Sequence, residues 1–181
     1  HGKDIFMPTE FLHGLYDGGH GAGLDDWWNL MIDNPQAAGG FLWAYADEGI
    51  VRDDRDGKID VAGNSAPDGI VGPYREKEAS FFTIKEVWSP VYIKKNEQDK
   101  LSEIFNGILE VENRYDHTNL NQIEFSWQLV DFPIPGSDQK NHTTALQGKI
   151  KSPDVIPHHI GELTIDRPKE WQQHDAFYLT A

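Results

Sequence analysis

A single carboxylate lies at the end of an apolar run near the start of the chain. In FMPTEFLHGLYDGGHGAG, residues 6–23, Glu10 follows that run, His13 comes three residues later, and the stretch contains five glycines. A carboxylate held rigidly at a strand end is suited to nucleophilic chemistry, because the group must stay ionised and aimed. A glutamate that closes a strand is more often a solvated rim residue or a helix cap. Glu10 is therefore a candidate whose role depends on the elements around it.

Alternating strand and helix signals surround Glu10. Residues 4–12 contain an apolar run typical of a buried strand. The stretch LDDWWNLMIDNP, residues 24–35, has apolar residues at close to helical spacing and acidic residues in its first turn. GGFLWAYAD, residues 39–47, is a second short apolar run and predicts another buried strand of the parallel type. A strand, a helix and a strand in this order form one βαβ unit.

A polar stretch rich in Gly, Asp and Pro, residues 48–75, predicts a long loop. Its DDRDGKID segment looks like a calcium loop, which needs Asp at the first ligand position and Glu at the twelfth. Counting from Gly57 places Arg52 at the first position and Gly63 at the twelfth, so the pattern fails. The segment instead predicts a small hairpin around Asp56-Gly57.

A change of hydrophobic period marks a domain boundary near residue 90. From Lys77 to Trp88 the apolar residues fall at helical spacing, and Ser89-Pro90 ends that helix. In QIEFSWQLV, residues 122–130, apolar and polar residues alternate strictly, which predicts a half-buried antiparallel strand. Weaker alternation recurs at Leu109 and Val111, at Leu163 and Ile165, and at Phe177 and Leu179. We therefore predict an α/β piece at residues 1–90 and an all-β sandwich at residues 91–181.

Composition and charge exclude several functional classes. The 181 residues carry a net charge of -14, which repels a nucleic-acid backbone. No apolar run approaches the roughly 20 residues that span a bilayer. The chain has no cysteine, which removes disulfides, thiol catalysis and cysteine-ligated zinc. Two histidine pairs, His13 with His20 and His158 with His159, lack a third ligand, so no metal site is predicted.

The motifs around Glu10 and Trp43 together resemble those of one known family. Residues 5–93 resemble the closing segment of the catalytic barrel in glycoside hydrolase family two, the group of the β-galactosidases, β-glucuronidases and β-mannosidases. The resemblance rests on an apolar strand ending in Thr-Glu-aromatic, a His three residues later, a Trp-rich helix, and then Gly-Gly-Phe-x-Trp. It implies the terminal βα units of a (β/α)8 TIM barrel, followed by an immunoglobulin-like β-sandwich.

The resemblance also implies roles for individual residues. These enzymes are retaining glycosidases, and Glu10 matches their nucleophile. His13 matches a histidine that binds sugar hydroxyls, and Trp43 matches a tryptophan that lines the sugar site. In a barrel, Glu10 and Trp43 would lie at the ends of consecutive strands, where such enzymes bind their substrates.

Two positions depart from the pattern of particular branches of the family. Asp68 falls where β-galactosidases carry an Asn near the sugar and a monovalent cation. This departure counts against the cation site, so a monovalent or divalent cation in the complete enzyme follows from the resemblance alone. β-Glucuronidases carry Asn-x-Lys in this loop to pair with a uronate, whereas here Asn64 is followed by Ser65 and Ala66. A uronate is therefore disfavoured. The resemblance as a whole favours a β-galactoside, although Asp68 itself departs from that branch.

Blander interpretations apply to several of these residues. His13 could be a structural histidine, and Trp43 could be a core residue, since barrel interiors are filled with large side chains. Trp27, Trp28 and Trp88 lie on predicted helical faces and are interpreted as core.

The chain lacks the second half of the predicted catalytic pair. In the family the acid/base Glu follows an Asn upstream of the nucleophile, whereas the Asn-Glu of this chain, Asn96-Glu97, lies downstream in a charged stretch. We therefore expect a fragment of a larger enzyme, inactive by itself. Its expected partners are a carbohydrate substrate, the rest of the parent polypeptide and further copies in a homo-oligomer. The alternative is a non-catalytic carbohydrate-binding or oligomerisation module. The sequence leaves the cellular compartment open.

Overall fold

Two compact units make up the chain, His1–Ser89 and Pro90–Ala181. The computed structural model describes residues 2–12, 21–63, 67–94 and 105–181. The structure is mostly β, with two α-helices among these residues. In the part of the chain described, no helix combines the length and the apolar character needed to cross a membrane.

Both predicted helices of the first unit are confirmed. Helix α1 spans Ala22–Ile32 and buries Leu24 and Met31, in agreement with the helical spacing of its apolar residues. Helix α2 spans Ala79–Val87, and the chain leaves it just before the predicted stop at Ser89-Pro90. The observed ends differ from the predicted ones by about two residues, which is the usual uncertainty of helix termini.

The predicted hairpin is also confirmed. Strand β1, Ile50–Arg52, pairs antiparallel with strand β2, Lys58–Asp60. The turn contains Asp56 and Gly57, both with positive φ, which Asp and Gly tolerate better than most residues. Arg52 donates to the carboxylates of Asp54 and Asp60, so these oxygens are engaged by arginine, as fits a hairpin rather than a calcium loop.

The prediction of two buried strands in the first unit is wrong, because the two segments are neither regular strands nor buried. Residues 4–12 and 39–47 contain no strand among the described residues and make only isolated bridges, the first of them from Phe6 to Ala37 in parallel. Their apolar side chains are largely exposed: Ile5 is 78% exposed and Tyr45 is 68% exposed. A parallel sheet requires cover on both faces, which this unit does not supply to these segments. The part of a TIM barrel therefore stays a prediction.

The prediction that three tryptophans lie in the core is wrong for Trp27. Trp28 and Trp88 pack against each other with ring centroids 5.5 Å apart, and both are half-buried. Trp27 is 47% exposed. Neighbouring residues on a helix point about 100° apart, so Trp27 and Trp28 cannot both face the same side.

The second unit consists of two three-stranded antiparallel sheets. One sheet has the order β3-β4-β7, with β3 at Val91–Ile93, β4 at Ile108–Asn113 and β7 at Ile160–Thr164. The other has the order β6-β5-β8, with β6 at Thr143–Ile150, β5 at Phe125–Asp131 and β8 at Ala176–Thr180. Side chains of both sheets share one hydrophobic core, an arrangement compatible with the predicted β-sandwich.

The alternation that predicted β5 is confirmed by burial. Phe125, Trp127 and Leu129 are 2%, 9% and 0% exposed and lie in the shared core. Trp127 stacks on Phe177 of β8 with ring centroids 5.5 Å apart. These two aromatic rings of β5 therefore fill the core rather than form an exposed platform for a sugar.

A fully buried amide joins several stretches of the second unit. Asn113, at the end of β4, is 0% exposed. Its Nδ2 donates to the carbonyl of Thr118 at 2.9 Å and to that of Val155 at 2.8 Å, while its Oδ1 accepts from the N–H of Tyr115. Because every polar atom of the side chain has a partner, the cost of burying it is offset.

Candidate functional site

Main-chain hydrogen bonds bring the Glu10 segment next to the Trp43 segment. The N–H of Phe11 donates to the carbonyl of Phe41 at 3.0 Å, and the N–H of Trp43 donates to the carbonyl of Leu12 at 3.4 Å. Glu10 itself is exposed. The two stretches predicted to carry the nucleophile and the sugar-site tryptophan therefore run side by side in the same direction.

The Asp68 segment lies on the other side of the Trp43 segment. The N–H of Ala44 donates to the carbonyl of Asp68 at 3.1 Å, and the N–H of Ile70 donates back to the carbonyl of Ala44 at 2.9 Å. The peptide bond between Trp43 and Ala44 is cis. Three stretches that are distant in sequence thus become neighbours, with the Trp43 segment in the middle.

The side chains of this site combine an accessible ring with carboxylates. Trp43 is 42% exposed, so its ring is accessible in this unit. Asp68 is half-buried, and among the described residues its Oδ1 is buried without a hydrogen-bond partner. A buried carboxylate oxygen without a donor is uncommon because desolvation is costly. An aromatic face and hydrogen-bond acceptors are the groups that contact the C–H face and the hydroxyls of a sugar.

A buried carboxylate that the sequence interpretation missed supports the Asp68 segment. Asp47 is 7% exposed, and its Oδ1 accepts the N–H of Gly69 at 2.9 Å. Burial raises the pKa of the Asp47 carboxyl; the Gly69 hydrogen bond lowers it, and the negative charges of Asp68 and Glu76 raise it further. The available signal was the position of Asp47 at the end of an apolar run, the same signal that singled out Glu10.

The first turn of α2 contacts the same glycine. The Ser80 hydroxyl is 3.1 Å from the carbonyl oxygen of Ile70 and 3.4 Å from that of Gly69, and Ser80 is 1% exposed. A Cβ on Gly69 would lie 2.2 Å from the backbone nitrogen of Asp47. Only glycine permits this approach of the two backbones. A serine within a helix carries no sequence signal for such a contact.

Several predicted residues lie outside the described residues, namely His13, His20, Asn64 and the Asn96-Glu97 pair. The other histidine pair is exposed: His158 contacts Asp116 at 3.1 Å, and His159 contacts the carbonyl of Pro157 at 2.9 Å.

The family resemblance implies a cation near Asp68, which would need several ligands there. Within the described residues, no group of three or more His, Cys, Asp or Glu side chains is arranged to hold a metal ion. The described carboxylates around Asp68 therefore do not by themselves supply three ligands for a cation.

The chain is similar to three curated β-galactosidases. It is 24% identical to the enzyme of Priestia megaterium (strain DSM 319 / IMG 1521) over 98% of this chain and 17% of that enzyme. It is 23% identical to the enzyme of Pseudoalteromonas haloplanktis over 94% of this chain and 16% of that enzyme. It is 25% identical to the enzyme of Actinobacillus pleuropneumoniae over 70% of this chain and 12% of that enzyme.

The coverage of these matches limits what they say of this chain. The chain spans about a sixth of the length of the first two relatives. No family model matches the sequence. At this level the similarity supports a β-galactosidase-related fragment and, more coarsely, a protein related to glycoside hydrolases.

Proposed function

We propose that this chain is part of a retaining β-glycosidase that hydrolyses terminal β-galactosides, with Glu10 as its nucleophile. The observation that carries the proposal is the alignment of the segments of Glu10, Trp43 and Asp68 through main-chain hydrogen bonds. The similarity to three β-galactosidases supports the choice of sugar. The acid/base glutamate would belong to the part of the enzyme outside this chain.

The proposed reaction has two steps. The Glu10 carboxylate attacks the anomeric carbon while the acid/base glutamate protonates the leaving oxygen, which gives a glycosyl-enzyme ester and a free alcohol. The acid/base group then takes a proton from water, and this water displaces Glu10 from the sugar. Trp43 would pack on the sugar ring, while Asp68 and His13 would bind hydroxyl groups. The exposed position of Glu10 fits a group that must reach a substrate.

The proposal also explains the exposed apolar side chains of the first unit. In the terminal βα units of a (β/α)8 barrel, further strands and helices would cover the segments that here expose Phe6, Phe41 and Tyr45. The second unit would be the β-sandwich that follows the barrel. The principal partner of this chain would then be the rest of its parent polypeptide.

Glu10→Gln in the complete enzyme tests the nucleophile. Turnover of an aryl β-galactoside is expected to fall by more than about a thousandfold, because glutamine cannot form the ester intermediate. Glu124→Gln is the matched control, since Glu124 is exposed in the second unit and lies outside the proposed site. Wild-type turnover by Glu10→Gln would contradict the assignment.

Covalent trapping tests the same residue without a substitution. An activated 2-deoxy-2-fluoro-β-galactoside slows the second step more than the first, so the ester accumulates and can be located by peptide mass spectrometry. We expect the label on Glu10. A label on another carboxylate would reassign the nucleophile, and the 181-residue chain alone is expected to show neither labelling nor turnover.

A further inference from the structure

We propose that Asp47 and Ser80 are positioning residues that fix Asp68 beside Trp43, by holding the residue that follows Asp68. This inference rests on the proposed function, because it concerns how the sugar site is assembled. Neither side chain belongs to the set predicted to contact the sugar. Both are among the three buried polar side chains of the described residues.

The first step of the argument is the position of Gly69 between two buried side chains. Its N–H donates to Asp47 Oδ1 at 2.9 Å, and its carbonyl oxygen lies 3.4 Å from the Ser80 hydroxyl, which also reaches the carbonyl of Ile70 at 3.1 Å. Asp47 belongs to the segment that follows Trp43, whereas Ser80 belongs to α2. The segment after Trp43 therefore binds the N–H of Gly69, whereas α2 binds its carbonyl oxygen.

The second step is the link from Gly69 to the site. Asp68 precedes Gly69, and its carbonyl accepts the N–H of Ala44, whose cis peptide bond joins it to Trp43. The close backbone approach at Gly69 leaves no space even for a Cβ. A displacement of Gly69 would therefore displace Asp68 relative to Trp43, and a shift of about 1 Å in such a group costs substantial activity.

The third step is the chemistry of the Asp47 side chain. Burying a carboxylate beside the charges of Asp68 and Glu76 is unfavourable, which predicts that an uncharged side chain would be preferred if packing alone mattered. The useful property of Asp47 is its acceptor oxygen toward Gly69. Asparagine keeps an acceptor of the same shape without the charge, whereas alanine removes it.

Amide hydrogen exchange of the complete enzyme, resolved to single residues by mass spectrometry of fragment ions, measures the hold on Gly69 directly. Asp47→Ala is expected to speed exchange of the Gly69 amide by at least about tenfold, whereas Asp47→Asn is expected to keep it near the wild-type rate. Asn113→Ala, which removes a buried amide from the other unit, is the control for general loss of stability and is expected to leave Gly69 unchanged.

Kinetics of the complete enzyme on an aryl β-galactoside measure the consequence for the site. Asp47→Ala is expected to raise KM by about tenfold or more and to lower kcat less, because Asp68 would bind the sugar in both the ground and the transition state. Asp47→Asn is expected to restore KM. Ser80→Ala keeps the Asp47 bond and is the second variant, with a smaller rise in KM expected.

The outcomes separate the two proposals. Faster Gly69 exchange and a raised KM in Asp47→Ala, both restored in Asp47→Asn, would support the positioning role. An active wild-type enzyme whose Asp47→Ala and Ser80→Ala variants keep the wild-type KM would overturn the positioning role and leave the glycosidase proposal standing. A complete wild-type enzyme that hydrolyses no glycoside would overturn both.

Discussion

Residues 90–181 bury eleven hydrophobic side chains among those described, whereas residues 1–89 bury three. The exposed large hydrophobic residues show the opposite distribution, with seven in the second unit and thirteen in the first. The first unit is not poorer in apolar residues than the second, so the difference lies in what each unit can cover by itself. The second unit closes two sheets over one core. The first has two helices and a short hairpin against extended segments.

This contrast indicates that the two units have different roles, one in stability and one in the proposed chemistry. The second unit carries its own stabilisation, because apolar burial is the main favourable term in folding. The first unit carries the residues proposed for chemistry and leaves apolar side chains next to them uncovered. We infer that the first unit depends on the rest of the parent polypeptide for its stability, and the following predictions test this contrast.

The largest expected effect is on independent folding. Residues 90–181 expressed alone are expected to unfold in one cooperative transition, because their core lies within that segment. Residues 1–89 alone are expected to show no cooperative transition, since their few buried apolar residues cannot offset the loss of chain entropy. Thermal circular dichroism and the dispersion of amide NMR signals measure both. A sharp melting transition of residues 1–89 would break the contrast.

A pair of truncations compares the two units within the intact chain. Leu129→Ala, at a position that is 0% exposed, is expected to cost about 2–5 kcal/mol of unfolding free energy. Phe41→Ala, at a position that is 60% exposed, is expected to cost less than about 0.5 kcal/mol. Urea denaturation of the 181-residue chain measures both values. In the complete enzyme we expect Phe41→Ala to cost more, and an unchanged small cost there would contradict the proposed cover.

The smallest expected effect is the pH dependence of the first unit. The pKa of Asp47 is raised above its ordinary value of 3.8, so the folded state holds that proton more tightly than the unfolded state. The resulting stabilisation is complete below the ordinary pKa and is lost as the pH rises through the raised one. Asp47→Asn does not titrate, so its melting temperature relative to wild type is expected to increase between about pH 3 and about pH 7.

Melting curves of the complete enzyme and of its Asp47→Asn variant are compared across this range. The difference between the two melting temperatures removes the contribution of every other titrating group. The same comparison for an Asp116→Asn variant serves as the control, because Asp116 lies in the second unit and is exposed. A constant difference between Asp47→Asn and wild type at all pH values would contradict the prediction.

Local spacing was sufficient to predict the elements that bury one face. The apolar residues of α1 repeat at helical spacing, and those of β5 alternate, so each pattern states which side is covered. Strand β6 escaped prediction because most of its residues are exposed and its apolar residues do not alternate. The runs at residues 4–12 and 39–47 were misjudged because a continuous apolar run does not reveal whether anything in the chain covers it.

The candidate site was predictable only in part, for a related reason. Glu10 was singled out by its place behind an apolar run, and Trp43 and Asp68 were found through a resemblance of motifs. The hydrogen bonds that align their segments join residues that are distant along the chain, such as Phe11 with Phe41 and Ala44 with Asp68. Asp47 and Ser80 were missed because their partner, Gly69, is distant in sequence. No local pattern states which side chain will accept a given backbone N–H.

The buried amide of Asn113 has a consequence for the order in which the second unit assembles. Its two acceptors, the carbonyls of Thr118 and Val155, lie 5 and 42 residues away in the chain. An intermediate that buried Asn113 before residue 155 arrived would leave an amide N–H unpaired, at a cost of about 1–3 kcal/mol. Half-formed sandwiches are thereby penalised. Asn113 thus couples the nearby segment at Thr118 to the distant segment at Val155. This coupling makes the folding of the second unit more cooperative.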